Sequence, residues 1–295
     1  MGTLIIVLAS ALAVIAAYVG VSAYIASVAV RARRLPLLFD PGLPHENVTF
    51  QSRLDGLLLR GWYFAAGLEC IVIVNGGEQN RVDPVTDTLG LAADLVGAGY
   101  SVLLFDLRGR GESEGQASLL PNNDRDVAGA VDFMRERGHE QVYIMGFSSG
   151  GAAALHFAAG DPVAAVVSDS CFASVSGMFV RVLARRGCPH IMARALAWGA
   201  SLMGRVVHGL EKMDPEAIVG RVGCPLFFIH GGMDSGVPVE DAYRLFRAVP
   251  NPVSFLWVVP GAEHTQSFRT ARDEYVGRVT GFLAGVSRSS QQGAV

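Results

Sequence analysis

The hydrophobic pattern divides this chain into two unequal parts. From Thr3 to Val30 there is not one charged residue, and almost every position is apolar or small. A helix of ~20 apolar residues spans the ~30 Å hydrocarbon core of a bilayer, so this run predicts a transmembrane helix with length to spare for tilt. Tyr18 and Tyr24 are candidates for the interfacial zone. Arg31, Arg33 and Arg34 follow at once, and Pro36 discourages further helix. The rivals are a cleavable signal peptide and a buried core helix. A signal peptide needs a basic n-region, and only Met1 and Gly2 precede the run. N-myristoylation wants Ser or Thr at position 6, which is Ile here. Positive charge flanks only the C-terminal side. The positive-inside rule then places the N-terminus outside and the remaining chain in the cytoplasm.

Beyond the basic flank, short apolar runs alternate with helical periodicity. Residues 47–53 and 57–64 read as two strands joined at Asp55-Gly56, a hairpin signal. Cys70 to Val74 (CIVIV) is apolar throughout, as a strand buried on both faces requires. Further strands are expected at 101–105, 141–145, 163–167, 224–229 and 253–259. Helices are expected from Asp83-Pro84 to about Gly97, over 124–138, over 149–159, after Pro238, and over 266–283. Repeated βα units imply the α/β class, with a mostly parallel eight-stranded sheet flanked by helices. Residues 172–223 break the rhythm. There Met192, Leu196, Gly199, Leu202/Met203, Val206 and Leu210 recur at helical spacing, with Arg194, Ser201, Arg205 and His208 on other faces. This predicts a helical cap insertion packed over the sheet, or a cap that also touches lipid. The expected organisation is an anchor with its basic flank over 1–35 and an α/β body over 36–287. The cap occupies 173–223 of that body, and a disordered polar tail covers 288–295.

Composition narrows the function. Apolar residues make up 51% of 295 and charged residues 17%, against a typical charged share of ~25%, which excludes disorder. A net charge of -3 argues against nucleic acid as a partner. Cys70, Cys171, Cys188 and Cys224 have no CxxC spacing, so neither a metal site nor a redox pair is signalled.

The chemistry lies in a pattern that occurs twice. G-x-S-x-G is found at Gly111–Gly115 around Ser113 and at Gly146–Gly150 around Ser148. A nucleophile elbow must turn sharply from strand to helix to lift the hydroxyl above the sheet. Ser148 follows a strand and opens an Ala-rich helical run. Ser113 sits in the charged loop Arg108-Gly-Arg-Gly-Glu-Ser with no helix behind it. A serine hydroxyl also needs a base, and the base an orienting carboxylate. His264 follows the last strand in Pro260-Gly-Ala-Glu-His264, and Asp234 follows the strand before it in His230-Gly-Gly-Met-Asp234. His230 reads as a structural turn residue.

Together these pieces resemble the α/β-hydrolase superfamily from about Asn47 to Leu283. They are most similar to the serine-hydrolase branch that includes small esterases, monoacylglycerol-lipase-like and peptidase-like members. The matching blocks are Val74-Asn-Gly-Gly77 with Asn80-Arg81, Phe105-Asp-Leu-Arg-Gly, Gly146-Phe-Ser-Ser-Gly-Gly151, His230–Asp234 with Val237-Pro238, and Gly261–His264. The resemblance implies Ser148, Asp234 and His264 as a catalytic set, with the Asp106 block structural. It implies backbone oxyanion donors at Ser149 and Gly77, with Glu78 as the alternative to Gly77. Asn75 stands where family members usually carry His. Asp169 is the alternative acid. No metal or organic cofactor is implied. The expected activity is hydrolysis of carboxylic esters or thioesters of lipid-like or acyl substrates at a membrane. The alternatives are a serine peptidase or amidase, and a non-catalytic binding protein at the membrane.

Overall fold

A computed structural model of the chain describes residues 1–29, 31, 33–117, 122–208 and 214–292. The strands are β1 (Glu46–Gln51), β2 (Leu58–Phe64), β3 (Cys70–Val74), β4 (Ser101–Phe105), β5 (Val142–Phe147), β6 (Ala165–Asp169), β7 (Leu226–Gly231) and β8 (Phe255–Val259). The helices are α1 (Gly2–Ala29), α2 (Thr88–Gly97), α3 (Asn123–Glu136), α4 (Ser149–Ala158), α5 (Val175–Arg185), α6 (His190–His208), α7 (Pro215–Ile218), α8 (Val239–Arg247), α9 (Ser267–Thr270) and α10 (Arg272–Gln292). All eight strands form one sheet in the order β1-β2-β4-β3-β5-β6-β7-β8. β2 runs antiparallel to both of its neighbours, β1 and β4, whereas β4, β3, β5, β6, β7 and β8 are mutually parallel. The expected fold class is therefore the observed one.

The parallel strands are apolar at successive positions because both faces are covered. Val72, Val74, Leu103 and Ile144 face a core shared with Val127 and Val131 of α3 and Leu155 of α4. Ile71, Ile73, Leu104 and Met145 face the other core, with Leu91 and Leu95 of α2 and Tyr275, Val279 and Leu283 of α10. The parallel register brings the C-terminal ends of β3, β5, β6, β7 and β8 to one edge. In open α/β sheets that edge is where ligands bind.

Three local readings need correction. The helix expected from Asp83-Pro84 begins only at Thr88. Asp83 instead closes a turn, accepting from the Val85 amide and the Thr86 hydroxyl, while Asp87 caps α2 through the Gly90 amide. An Asp that satisfies nearby backbone competes with helix in this way. The expected final helix is two helices, divided at Ala271 (φ -137°), and α10 continues to Gln292 through residues expected to be disordered. Within the expected cap segment, the periodic set is split: Gly199 is buried, but its large members Met192, Leu202 and Val206 are not. Met192 and Val206 are exposed, whereas Ala193, Ala197, Ala200 and Gly204 face inward. Small residues are needed there because α6 is packed closely by α5 and by α1. A Cβ on Gly199 would stand 2.3 Å from the Ser22 hydroxyl of α1. The Tyr18 hydroxyl donates to the Ala195 carbonyl at 2.7 Å, so Tyr18 serves the cap contact. Val30, Leu210 and residues 293–295 lie outside the described residues.

One ion pair under the sheet edge is almost fully buried. Arg81 donates to Asp106 from its backbone amide and its guanidinium, with side-chain exposures of 1% and 0%. Asp106→Ala takes away the buried partner of that guanidinium and leaves it the Glu112 carboxylate, 58% exposed and 2.7 Å away, and is expected to cost about 3 kcal/mol in urea unfolding. Glu46→Ala, which frees Arg137 at the surface, is expected to cost under ~1 kcal/mol.

Candidate active site

The turn after β5 is built around a backbone conformation that L-residues seldom adopt. Ser148 has φ +51° and ψ -116° between β5 and α4. Such strain costs on the order of 1–3 kcal/mol and persists only where the surroundings enforce it. Here the Ser148 amide donates to the Asp169 carbonyl of β6 at 2.8 Å. The turn also needs glycine, since a Cβ on Gly150 would lie 2.1 Å from the Val74 carbonyl of β3. The result sets the Ser148 hydroxyl at the C-terminal edge of the sheet.

His264, in the loop after β8, meets that hydroxyl. Its Nε2 is 3.0 Å from Ser148 Oγ, and its Nδ1 is 2.7 Å from Asp234 Oδ2. Asp234 stands in the loop after β7 with a fully buried carboxylate, whereas the His264 side chain is one-third exposed. The other Asp234 oxygen accepts from the Gly236 and Val237 amides, each at 2.7 Å. Burial opposes ionisation of Asp234, yet the hydrogen bond and charge of His264 and the Val237 amide hold it below the usual carboxylate value. His230 is buried beside it, with Nε2 2.9 Å from the Val237 carbonyl and 3.4 Å from Asp234.

The other candidates are differently engaged. The Ser113 hydroxyl is buried and committed to backbone, donating to the Asp106 carbonyl and accepting from the Arg60 amide. The two expected oxyanion donors meet across the site. The Gly77 amide, at φ +56°, donates to Ser149 Oγ at 2.8 Å. Nothing in the linear pattern signals this bond. Asn75 braces the same loop by donating from its amide to the Asn80 carbonyl at 2.8 Å. Asp169 does not contact His264. It accepts from Ser170, Ser267 and Tyr275, and Ser170 in turn accepts from the Thr265 amide, next to His264. Among the described residues, no cluster of His, Cys, Asp and Glu could hold a metal ion.

Burial pushes the Asp169 carboxyl up to about 6 despite its hydrogen bonds to Ser170 and Tyr275. Its sign is opposite to that of Asp234. Between about pH 4 and about pH 6 the native state keeps a proton that the unfolded chain has lost, so stability falls as pH rises. Asp169→Asn removes this contribution. The wild-type stability relative to the variant is expected to decline by up to about 3 kcal/mol across that window, as read by urea unfolding.

Comparison with known proteins agrees with this architecture. The family model described as serine aminopeptidase, S33, matches residues 70–211. An uncharacterised protein of Mycobacterium tuberculosis is 30% identical over 216 residues, covering 71% of this chain and 69% of its own. The uncharacterised Escherichia coli protein YfhR is 25% identical over 243 residues, covering 76% and 74%. Among solved structures, an esterase of Pyrococcus furiosus superposes with a TM-score of 0.73 at 21% identity, covering 86% of this chain and 97% of that one.

Proposed function

This chain belongs to the α/β-hydrolase superfamily, and we propose that it is a membrane-anchored serine hydrolase cleaving carboxylic esters or thioesters of lipid-like acyl groups. What supports this reading is the chain of short contacts from Ser148 to His264 to Asp234 at a strained strand-to-helix turn. His264 Nε2 takes the proton of Ser148 Oγ as that oxygen attacks the acyl carbonyl. The tetrahedral oxyanion is met by the backbone amides of Ser149 and Gly77. Loss of one such donor typically costs ~3–4 kcal/mol of barrier. Collapse expels the alcohol or thiol, which takes the proton from His264. Water, deprotonated by His264, then attacks the acyl-enzyme and releases the acid. Asp234 keeps the proton on Nδ1 and stabilises the imidazolium.

The anchor in this reading is α1. Gly2–Val28 contains an 18-residue stretch with a mean hydropathy of 2.7, a composition shared by membrane spans and signal sequences. Residues 1–35 would form the anchor and flank, 36–287 the hydrolase body and 173–223 its cap. The basic flank favours a cytoplasmic body. A peptidase is the second reading, favoured by the description of the matching family model. A panel of p-nitrophenyl esters of rising chain length, set against aminoacyl p-nitroanilides, separates the two. Ester turnover that exceeds anilide turnover and rises with acyl length is expected. The reverse order would replace the esterase reading with the peptidase one.

A further inference from the structure

We propose that the outer face of cap helix α6 is a bilayer-docking surface that seats the hydrolase mouth on the membrane. The proposal rests on the reading of α1 as a membrane span. On α6, Ile191, Ala195, Trp198, Leu202 and Val206 recur at i, i+4, i+7, i+11 and i+15, which places them on one helix face. This face is turned to solvent. Ile191 is 85% exposed, Trp198 65% and Val206 71%. Large apolar side chains aligned on one exposed face need a partner.

The geometry of α1 names that partner. Gly2 to Ala17 is exposed throughout, whereas Tyr18, Ser22 and Ala26 turn one side of the helix inward. The free part is about 24 Å long at ~1.5 Å per residue. A hydrocarbon core is ~30 Å thick, so a spanning α1 must also immerse its next turn, which touches α6. The contact is direct at Tyr18 to Ala195 and at Ser22 against Gly199. The exposed face of α6 therefore continues the lipid-facing surface of α1, and Trp198 lies at the depth that indole rings favour. Arg194 and Arg205 are exposed on the same helix, where headgroup phosphates would meet them.

Residues 33–36, just beyond the anchor, are tied to the body. The Arg33 amide donates to Glu78, Asn80 donates to the Pro36 carbonyl, and Arg34 donates to the Ser113 carbonyl. Glu78 and Asn80 belong to the loop that carries Gly77, so anchor, cap helix and Ser148 share one end of the sheet. A bilayer-resident acyl ester would enter from the membrane side without crossing bulk water.

The test uses the full chain reconstituted in phosphatidylcholine–phosphatidylglycerol vesicles bearing a nitroxide high on the acyl chain. Emission from Trp62 and Trp257 is removed by subtracting the signal of Trp198→Phe. The expected result is loss of the Trp198 emission to the lipid nitroxide and protection from aqueous acrylamide. Acrylamide quenching in protein that survives an alkaline carbonate wash overturns the docking face while the anchor stands. Protein released by carbonate overturns the anchor reading, and the docking face with it. Shielding from both quenchers means a second protein copy covers the face, which also overturns the proposal.

Discussion

Replacing Ser148 with alanine is expected to lower kcat by roughly 10⁴- to 10⁶-fold and to end labelling by a fluorophosphonate probe. The size of the effect follows from what else could take its place. Ser113 is buried with both of its hydroxyl functions spent on the Asp106 carbonyl and the Arg60 amide. The Ser149 hydroxyl accepts from Gly77, and that of Ser170 joins Asp169 to the Thr265 amide. Ser148 Oγ is the hydroxyl within hydrogen-bond reach of His264 Nε2. Ser113→Ala should therefore keep its labelling and lose stability instead, by about 1–3 kcal/mol for the buried backbone groups left unpaired. Labelling that persists in Ser148→Ala, or disappears only in Ser113→Ala, would sink the assignment. Circular dichroism and the unfolding midpoint of Ser148→Ala, expected near wild type, separate lost chemistry from lost fold.

Asp234→Asn is expected to reduce kcat by about 10³- to 10⁴-fold with little change in KM. The loop itself dictates how the new amide would sit. The Gly236 and Val237 amides both point at Asp234 Oδ1, so an asparagine must place its carbonyl oxygen there. Its NH₂ then faces His264 Nδ1 and donates to it. The imidazole proton is forced onto Nε2, where it meets Ser148 and can no longer accept from it. Asp169→Asn changes a carboxylate that touches Ser170, Ser267 and Tyr275, and should reduce kcat far less. Equal losses in the two variants would return the acid's role to Asp169. Asp234 also has a pH signature. Its contribution to stability is full above the ordinary carboxyl value and is lost as pH falls through the depressed native one.

Much of this arrangement was legible along the chain, for reasons that differ from place to place. The strand CIVIV announces itself because both of its faces are buried, leaving no room for a polar position. Ser148 stands out from Ser113 because a strand precedes it and a helix-forming run follows. Asp234 and His264 were findable because each follows a strand whose C-terminal end must lie at the same sheet edge. The helix α6 was less legible. Periodicity picks out the large apolar residues of α6, but α1 and α5 approach closely enough that the inward positions are small. Asp83-Pro84 carries the composition of a helix start, yet the Thr86 hydroxyl and Val85 amide claim the Asp83 carboxylate first. The bond between Gly77 and Ser149 joins residues 72 positions apart, and no local pattern encodes it.

That bond bears on how the proposed enzyme would tell a substrate at rest from one in mid-reaction. The Gly77 amide is not idle in the resting protein, because a neutral hydroxyl already occupies it. A substrate carbonyl is also a neutral acceptor, so exchanging one for the other gains little. An anionic tetrahedral centre offers a charge-assisted bond, roughly twice as strong, and wins the exchange decisively. Selectivity for the transition state would thus arise from competition inside the site as well as from the placement of donors. Tight ligands for such a pocket would be those bearing a formal negative charge at the oxygen that displaces the Ser149 hydroxyl.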